Sequence, residues 1–361
     1  MSSFFPTQVV IILDAPFATV QKQYTHDLRS HLMTMLRTPN YKFKGFLGDD
    51  PTNFRTNFDN EDDMDSYVEK RRTFTYPCDV KIDVRRNLIF VSDCSPLGIQ
   101  VFDLYTKSFI YNIKVNDRAR FMDFYYNFLI FSSEDNTIHK FDLETQQEVW
   151  ASNGETVSFI AKENASGGAM RFNNPCGVVC DEINQEIYVA DCNNDRIVKI
   201  SGEDGGFICN VTSFKTRRLF QEMDSIISNP YGIDMDLAGN LVVTDVVGSR
   251  VHVMSTTGKI LTSFGSHGRV TDATKQPLSF DFPSGVLVDR KNGNLLVCDR
   301  NNHRVQVMTS LGQFVKMFGS AGYGRPNCFS YPRGLCIDQS SGDLYVVDYD
   351  NNRIQIFQQY T

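Results

Sequence analysis

A proline-led unit of about fifty residues recurs through the second half of this chain, and it limits the fold more than any other feature. Four copies start at Pro175, Pro230, Pro283 and Pro332. Each reads P-x-G, then an apolar stretch closing on Asp (Asp181, Asp236, Asp289, Asp338). A short turn leads to a second apolar run closing on another Asp (Asp191, Asp245, Asp299, Asp348). Five residues later an Arg (Arg196, Arg250, Arg304, Arg353) opens an alternating segment such as RVHVM or RVQVM. Self-similarity at this period, built of short apolar segments, is the mark of a repeat array.

A fifth copy aligns at Pro77, with Asp83, Asp93 and IQVFDL from Ile99. A sixth, degenerate copy follows at a gapless offset of 40 residues, which sets Asp123 on Asp83, Ser133 on Asp93 and Arg118 on Cys78. Each unit divides into four strand-like runs, clearest in GVLVD, NLLVCD, RVQVM and QFVKMF. Gly and Asn turns between the first two and the last two suit antiparallel hairpins. Four-stranded sheets repeated radially form a β-propeller. Neighbouring sheets then cover both faces of each blade, so strands read as nearly continuous Val, Ile, Leu and Phe.

Six units predict six blades. The last unit holds three strands before Thr361, and KFKGFLG at Lys42–Gly48 matches QFVKMFG at Gln313–Gly319. Residues 42–48 are therefore expected as the fourth strand of the last blade, removing the open edge of a linear array. The expected organisation is an N-terminal segment over 1–41 and a propeller over 42–361. Within the first segment Asp14 and Pro16 suit a helix start. Phe17, Val20, Tyr24, Leu28, Leu32 and Met35 then mark one amphipathic helix reaching Arg37.

YVADCNNDRIVKI, LVCDRNNHRVQVM and VVDYDNNRIQIF, each behind a P-x-G start, resemble the NHL-repeat family. The likeness is strong over Asn174 to Phe357 and weaker over Pro77 to Leu143. It implies an all-β, six-bladed propeller that binds a protein or a peptide, or single-stranded RNA in some relatives. Blades one and two depart from the pattern: they lack the Arg, and the alignment puts Asp79 and Ala119 in place of the Gly.

Composition fits a large soluble domain, at 41% hydrophobic residues with 28 Phe and 1 Trp. No apolar run approaches the ~18 residues of a membrane span, and VVIIL is too short for a signal-peptide core. Nine cysteines are present, with Cys78 matching Cys176 and Cys94 matching Cys192 between blades. Equivalent positions in separate blades lie beyond disulfide reach. All nine are therefore expected as thiols in a cytoplasmic protein.

Six repeated Asp residues (Asp83, Asp123, Asp181, Asp236, Asp289, Asp338) stand before tight turns, where a carboxylate satisfies backbone N–H groups. The second Asp and the Arg are likewise expected to order loops, since blade geometry explains a feature kept in every blade. Functional candidates are the positions where blades differ, on the end of the ring that carries the long connections. Arg118, Tyr231, Arg300, His303 and Arg333 are the residues assigned to binding there.

Histidines on that face are too few for a three-His lyase site, and the first strands lack the Glu of lactonase-type calcium propellers. The acidic run Asp59–Asp65 lacks the spacing of a calcium loop. The sequence calls for no metal, cofactor or catalytic group. A net charge of −7 opposes unaided phosphate binding. The expected function is a non-catalytic scaffold for a protein or peptide. A single-stranded RNA-binding propeller and a pore-metal lyase or hydrolase are the alternatives.

Overall fold

The computed structural model describes residues 40–47, 74–154, 171–212, 227–269 and 276–360. The helix expected before Arg37, the acidic run and parts of three long connections lie outside them. Six four-stranded antiparallel sheets follow one another along the chain. Blade one runs Pro77–Asp83, Leu88–Asp93, Ile99–Asp103 and Phe109–Ile113. Blade two opens with Ala119–Tyr125, blade three with Pro175–Asp181 and blade four with Pro230–Met235. Blade five opens with Pro283–Val288 and blade six with Pro332–Ile337. This is a six-bladed β-propeller.

In blade six the strand Asn40–Leu47 runs antiparallel to Arg353–Tyr360, with Phe43 opposite Phe357 and Leu47 opposite Ile354. Its register shifts at Gly45. The paired residues are 307 to 320 apart in sequence, so this ladder joins the two ends of the chain.

Hydrophobic clusters sit between blades, not within them. Val80, Ile89 and Val91 of blade one pack with Tyr345, Val347 and Ile354 of blade six. Val179 and Tyr188 of blade three meet Ile233, Leu241 and Val243 of blade four. Burial on both faces is what the unbroken apolar runs required.

The repeated Gly has a steric cause. A Cβ on Gly232 would stand 2.3 Å from the Ser284 carbonyl oxygen, and one on Gly285 2.2 Å from that of Arg333. First strands approach the axis so closely that neighbouring backbones touch there. Blades one and two carry Asp79 and Phe121 at this place instead. Beside these residues a cavity lined from all six blades keeps about 10 Å³ of free space.

That Phe121, and not Ala119, holds the Gly position corrects the gapless alignment. Ala119 pairs with Ser133 as Pro77 pairs with Asp93, so Ala119 takes the proline's place. Blade two turns between Tyr125 and Phe128, where blade one turns between Asp83 and Leu88. The shorter turn moves the first strand by two residues relative to the second. Asp123 therefore does not cap a turn; Tyr125 stands at that place. The other five do cap: Asp83 accepts from the Arg85 amide at 2.9 Å and Asp181 from Ile183 at 3.1 Å. Asp236, Asp289 and Asp338 accept likewise from Ala238, Lys291 and Ser340.

Asp123 faces the axis and latches blades together. It accepts from the Cys180 amide of blade three at 2.8 Å. Asp79 does the same to Met122 at 3.0 Å, and Asp234 to Val288 at 2.7 Å. Lys81 lies among these carboxylates, 3.8 Å from Asp79. Burial pushes the Asp79 carboxyl up to about 6. Burial alone would lower Lys81, but Asp79, Asp123 and Asp234 together hold its ammonium above the ordinary range.

Candidate functional site at the pore mouth

The loops of this face are held by the second repeated Asp. Asp348 accepts from the Ser330 amide at 2.7 Å, Asn351 Nδ2 at 2.9 Å, Gln355 Nε2 at 2.8 Å and Arg353 Nε at 2.8 Å. Neither Asp348 nor Arg353 is exposed to solvent. Asp299 with Arg304 at 2.7 Å and Asp191 with Arg196 at 2.5 Å repeat this brace in blades five and three. Blade four departs: Arg250 is exposed, and His252 reaches Asp245 at 3.2 Å instead. One carboxylate thus fixes both the incoming loop and the turn that follows it.

Bracing delivers three positions per blade to the pore mouth. Before the proline place stand Tyr76, Arg118, Asn174, Asn229, Phe282 and Tyr331. After it come Cys78, Arg120, Cys176, Tyr231, Ser284 and Arg333. Following the second Asp place are Cys94, Glu134, Cys192, Val246, Arg300 and Tyr349. The residue before the proline is left-handed in blades three to six, at φ 56° for Asn174 and Asn229, 58° for Phe282 and 54° for Tyr331. Asn tolerates that conformation; an aromatic side chain is strained in it. Blades five and six hold aromatics there against backbone preference.

Those aromatics clasp arginines. Arg300 Cζ lies 4.8 Å from the Phe282 ring, 5.4 Å from Tyr331 and 5.9 Å from Tyr349. Arg333 Cζ lies 3.7 Å from the centre of the Tyr349 ring, and its Nη1 points at Cys78 Sγ, 3.2 Å away. The Nε of Arg300 and the Nε of Arg333 are both buried without a hydrogen-bond partner. Burial, then the nearby positive charge of Arg333, lowers the affinity of Arg300 for its proton.

A cavity of about 390 Å³ opens against this pair, between blades six, one and two. Arg333, Arg120, Arg118, Tyr231 and Tyr349 line it, with Glu134 as its one acid. Glu134 lies 3.3 Å from Arg120 and 3.4 Å from Arg118. Arg120 also donates to Asn174 Oδ1. Tyr231 stands between Phe121 and Phe282, each ring 5.4 Å away, and burial raises its phenol.

Of the five residues singled out from sequence, Arg118, Tyr231 and Arg333 meet in this cavity, and Arg300 backs it. His303 does not line it. Its Nδ1 accepts from the Tyr331 amide at 3.2 Å, and its ring supports Tyr331 at 4.7 Å. Arg120 and Tyr349 were missed. Arg120, not Arg118, holds the post-proline place of blade two, which the two-residue shift concealed. Tyr349 belongs to the row after the second Asp, where the variation between blades is as wide as after the proline.

Cysteine chemistry also differs from expectation. Cys78 and Cys94 form a disulfide, with Cα atoms 6.6 Å apart. Comparison between blades overlooked partners within one: Pro77 pairs with Asp93, so the residues that follow them face each other across the blade end. The other seven cysteines are thiols, including the matching Cys176 and Cys192 of blade three. Among the described residues no three His, Cys, Asp or Glu side chains converge as a metal site.

A family model described as NHL repeat matches residues 280–308 and 329–357, the cores of blades five and six. Blades five and six carry NHL repeats. The NHL match covers the two blades with intact Asp and Arg braces and adjacent aromatics. Protein brain tumor of Drosophila melanogaster is 27% identical over 102 residues, covering 28% of this chain. The alignment spans only 9% of that relative's length. Among solved structures, an auxiliary nutrient binding protein of Bacteroides thetaiotaomicron superposes with a TM-score of 0.56 at 15% identity, over 80% of this chain and 70% of its own. A protein of unknown function from the same organism gives 0.54 at 14% identity, with the same coverage. At such identities the likeness is one of fold. No helix among the described residues is long and apolar enough to cross a membrane.

Proposed function

We propose that this NHL propeller is a non-catalytic scaffold whose pore-mouth face binds a protein or peptide. The observation that carries the reading is the Arg300 and Arg333 pair, held on Phe282, Tyr331 and Tyr349 with buried Nε donors unmatched. Arg and Tyr concentrate binding energy in protein interfaces, where truncating a hot-spot side chain costs about 2 kcal/mol or more. The repeat geometry does not call for these arginines, because the residue at the same place varies among the blades. An RNA strand needs a cationic track along its backbone. Here the arginines gather at one cavity, and blades three and four present Cys176, Cys192 and Val246 in the equivalent rows.

The test is site-directed photocrosslinking in the native cell extract. A crosslinking residue at Tyr323, exposed on the loop between blades five and six, should yield a discrete protein adduct. One at Ile183, in a tight turn at the other end of the ring, should not. Arg300→Ala with Arg333→Ala should remove the adduct without shifting the melting temperature by more than a few degrees. Adducts formed equally from both ends, or unchanged in the double variant, would place binding elsewhere. An adduct that is RNA would turn the reading to the nucleic-acid alternative.

A further inference from the structure

We propose that the pore-mouth cavity is a carboxylate-recognition pocket, which takes the free acid of a peptide between Arg333, Arg120 and Arg118. The inference rests on the peptide-binding reading and adds the chemistry of the recognised group.

Charge balance is the first argument. Elsewhere in the ring a buried arginine is matched: Arg196, Arg304 and Arg353 each hold Nε on the Asp of their own blade. Among the described residues no carboxylate stands within ion-pair distance of Arg300 or Arg333, and both Nε atoms are buried and unbound. Arg353 also leaves one buried atom unmatched, Nη1, but its Nε and Nη2 are bound. Buried polar atoms in folded proteins are almost always paired. Two neighbouring cations with free donors, supported on strained aromatic residues, form an arrangement that stability alone would not retain.

Geometry is the second. Arg333 lies over the Tyr349 ring at the cavity wall, and the proposed contact is made by an edge of its guanidinium. That edge matches a carboxylate in two parallel hydrogen bonds. Arg120 and Arg118 face it across the cavity and share Glu134 between them, so the lining holds three cations against one acid. Tyr231 and Tyr349 wall the remaining space. About 390 Å³ receives a side chain or a chain terminus and lies at the small end of ligand pockets.

The experiment uses the full chain and arrays of short synthetic peptides made in matched forms. One set carries a central Glu or its Gln counterpart; a second ends in a free carboxylate or an amide. Within at least one set, the acid form should be retained about tenfold better, which is ~1.4 kcal/mol. The set that shows the preference tells a side chain from a C-terminus. Arg333→Gln and Arg120→Gln should each abolish the preference, and Arg333→Lys, which keeps charge but loses the fork, should weaken it. Arg250→Ala, exposed and outside the cavity, is the control for fold and net charge. Equal retention of acid and amide forms overturns the carboxylate pocket. If peptides are still lost in the Arg300→Ala, Arg333→Ala double variant in that case, the binding face stands and only its chemistry was misassigned. Peptide retention indifferent to every pore-mouth variant removes both readings. A phosphoserine peptide favoured about tenfold over its Glu counterpart would also overturn the carboxylate assignment.

Discussion

Blades three, five and six hold their loops with a buried Asp and Arg, whereas blades one and two have lost the Arg and form the wall of the cavity with blade six. In the braced blades the carboxylate is saturated by two loops and a guanidinium, so nothing is left to meet a ligand. Blade one keeps the Gln contact, Gln100 to Asp93 at 3.3 Å, and has a disulfide in place of the Arg. Blade two replaces the Asp by Ser133 and sets Glu134, Arg118 and Arg120 at the surface. What the comparison teaches is a division of labour. Polar groups repeated around the ring are consumed by the fold, and those that break the repeat face the opening.

The seam of blade six sets the outer limit of this comparison, because Phe46 of the closing strand lies 4.3 Å from the braced Arg353. Deleting residues 1–47 removes the strand against Arg353–Tyr360 and uncovers Phe357. Several ladder hydrogen bonds and the burial of Leu47 together suggest a loss on the order of 5–10 kcal/mol. Denaturant unfolding of the truncated chain measures it; an unchanged midpoint would show that the strand carries no weight.

Next in size is the brace itself. Asp348→Ala leaves Arg353 buried without its anion, which is expected to cost about 3–5 kcal/mol. Asp93→Ala in blade one, where no Arg is stranded, should cost less in the same urea titration. Equal losses would deny that the braced blades differ.

The disulfide should account for part of what blade one lacks. Closing a loop over 16 residues is worth about 3 kcal/mol. Cys78→Ser with Cys94→Ser should lower stability by that order. Alkylation of the unfolded, unreduced protein should label the seven thiols and spare two cysteines. Nine labels without reductant would refute the bridge.

A smaller, pH-dependent effect lies in blade five. Burial lowers the His303 imidazole below its usual range, so the folded state keeps it neutral. Its stability is present above the unfolded value of about 6.5 and is lost as pH falls from there through the folded value. His303→Asn copies Asn352, which occupies the left-handed place of blade six at φ 52°. That variant should flatten this part of the acid-side decline in melting temperature; a decline of unchanged slope would assign it to other groups.

Arg250→Ala should matter least. With Arg250 at the surface and Asp245 served by His252, the change is expected within about 0.5 kcal/mol. A loss near that of Asp348→Ala would show a brace in blade four as well.

Six blades, their strands and the loop-bearing end were legible from the proline, Asp and Arg positions, because each is tied to a backbone event that must recur. Five of the six turn carboxylates were legible for the same reason. The sixth was lost to the two-residue shorter turn of blade two, which no gapless alignment can register. That one offset misplaced Asp123, hid Arg120 and moved Arg118 from before the proline place to after it. Tyr349 was missed for another reason: contacts between separate blades depend on the curvature of the ring, and spacing along the chain carries no trace of it. The disulfide escaped because the comparison ran from blade to blade, while the two sulfurs meet across neighbouring strands of one sheet.

The close approach of first strands at the repeated glycines has one more consequence. Beside these glycines the cavity on the axis has room for about one water molecule. A ligand that enters at the arginines must leave by the way it came. A ligand of the proposed kind would then be a chain end or a single projecting group, not a chain threaded along the axis. Its departure is then governed by one doorway, framed by Arg333 and Tyr349.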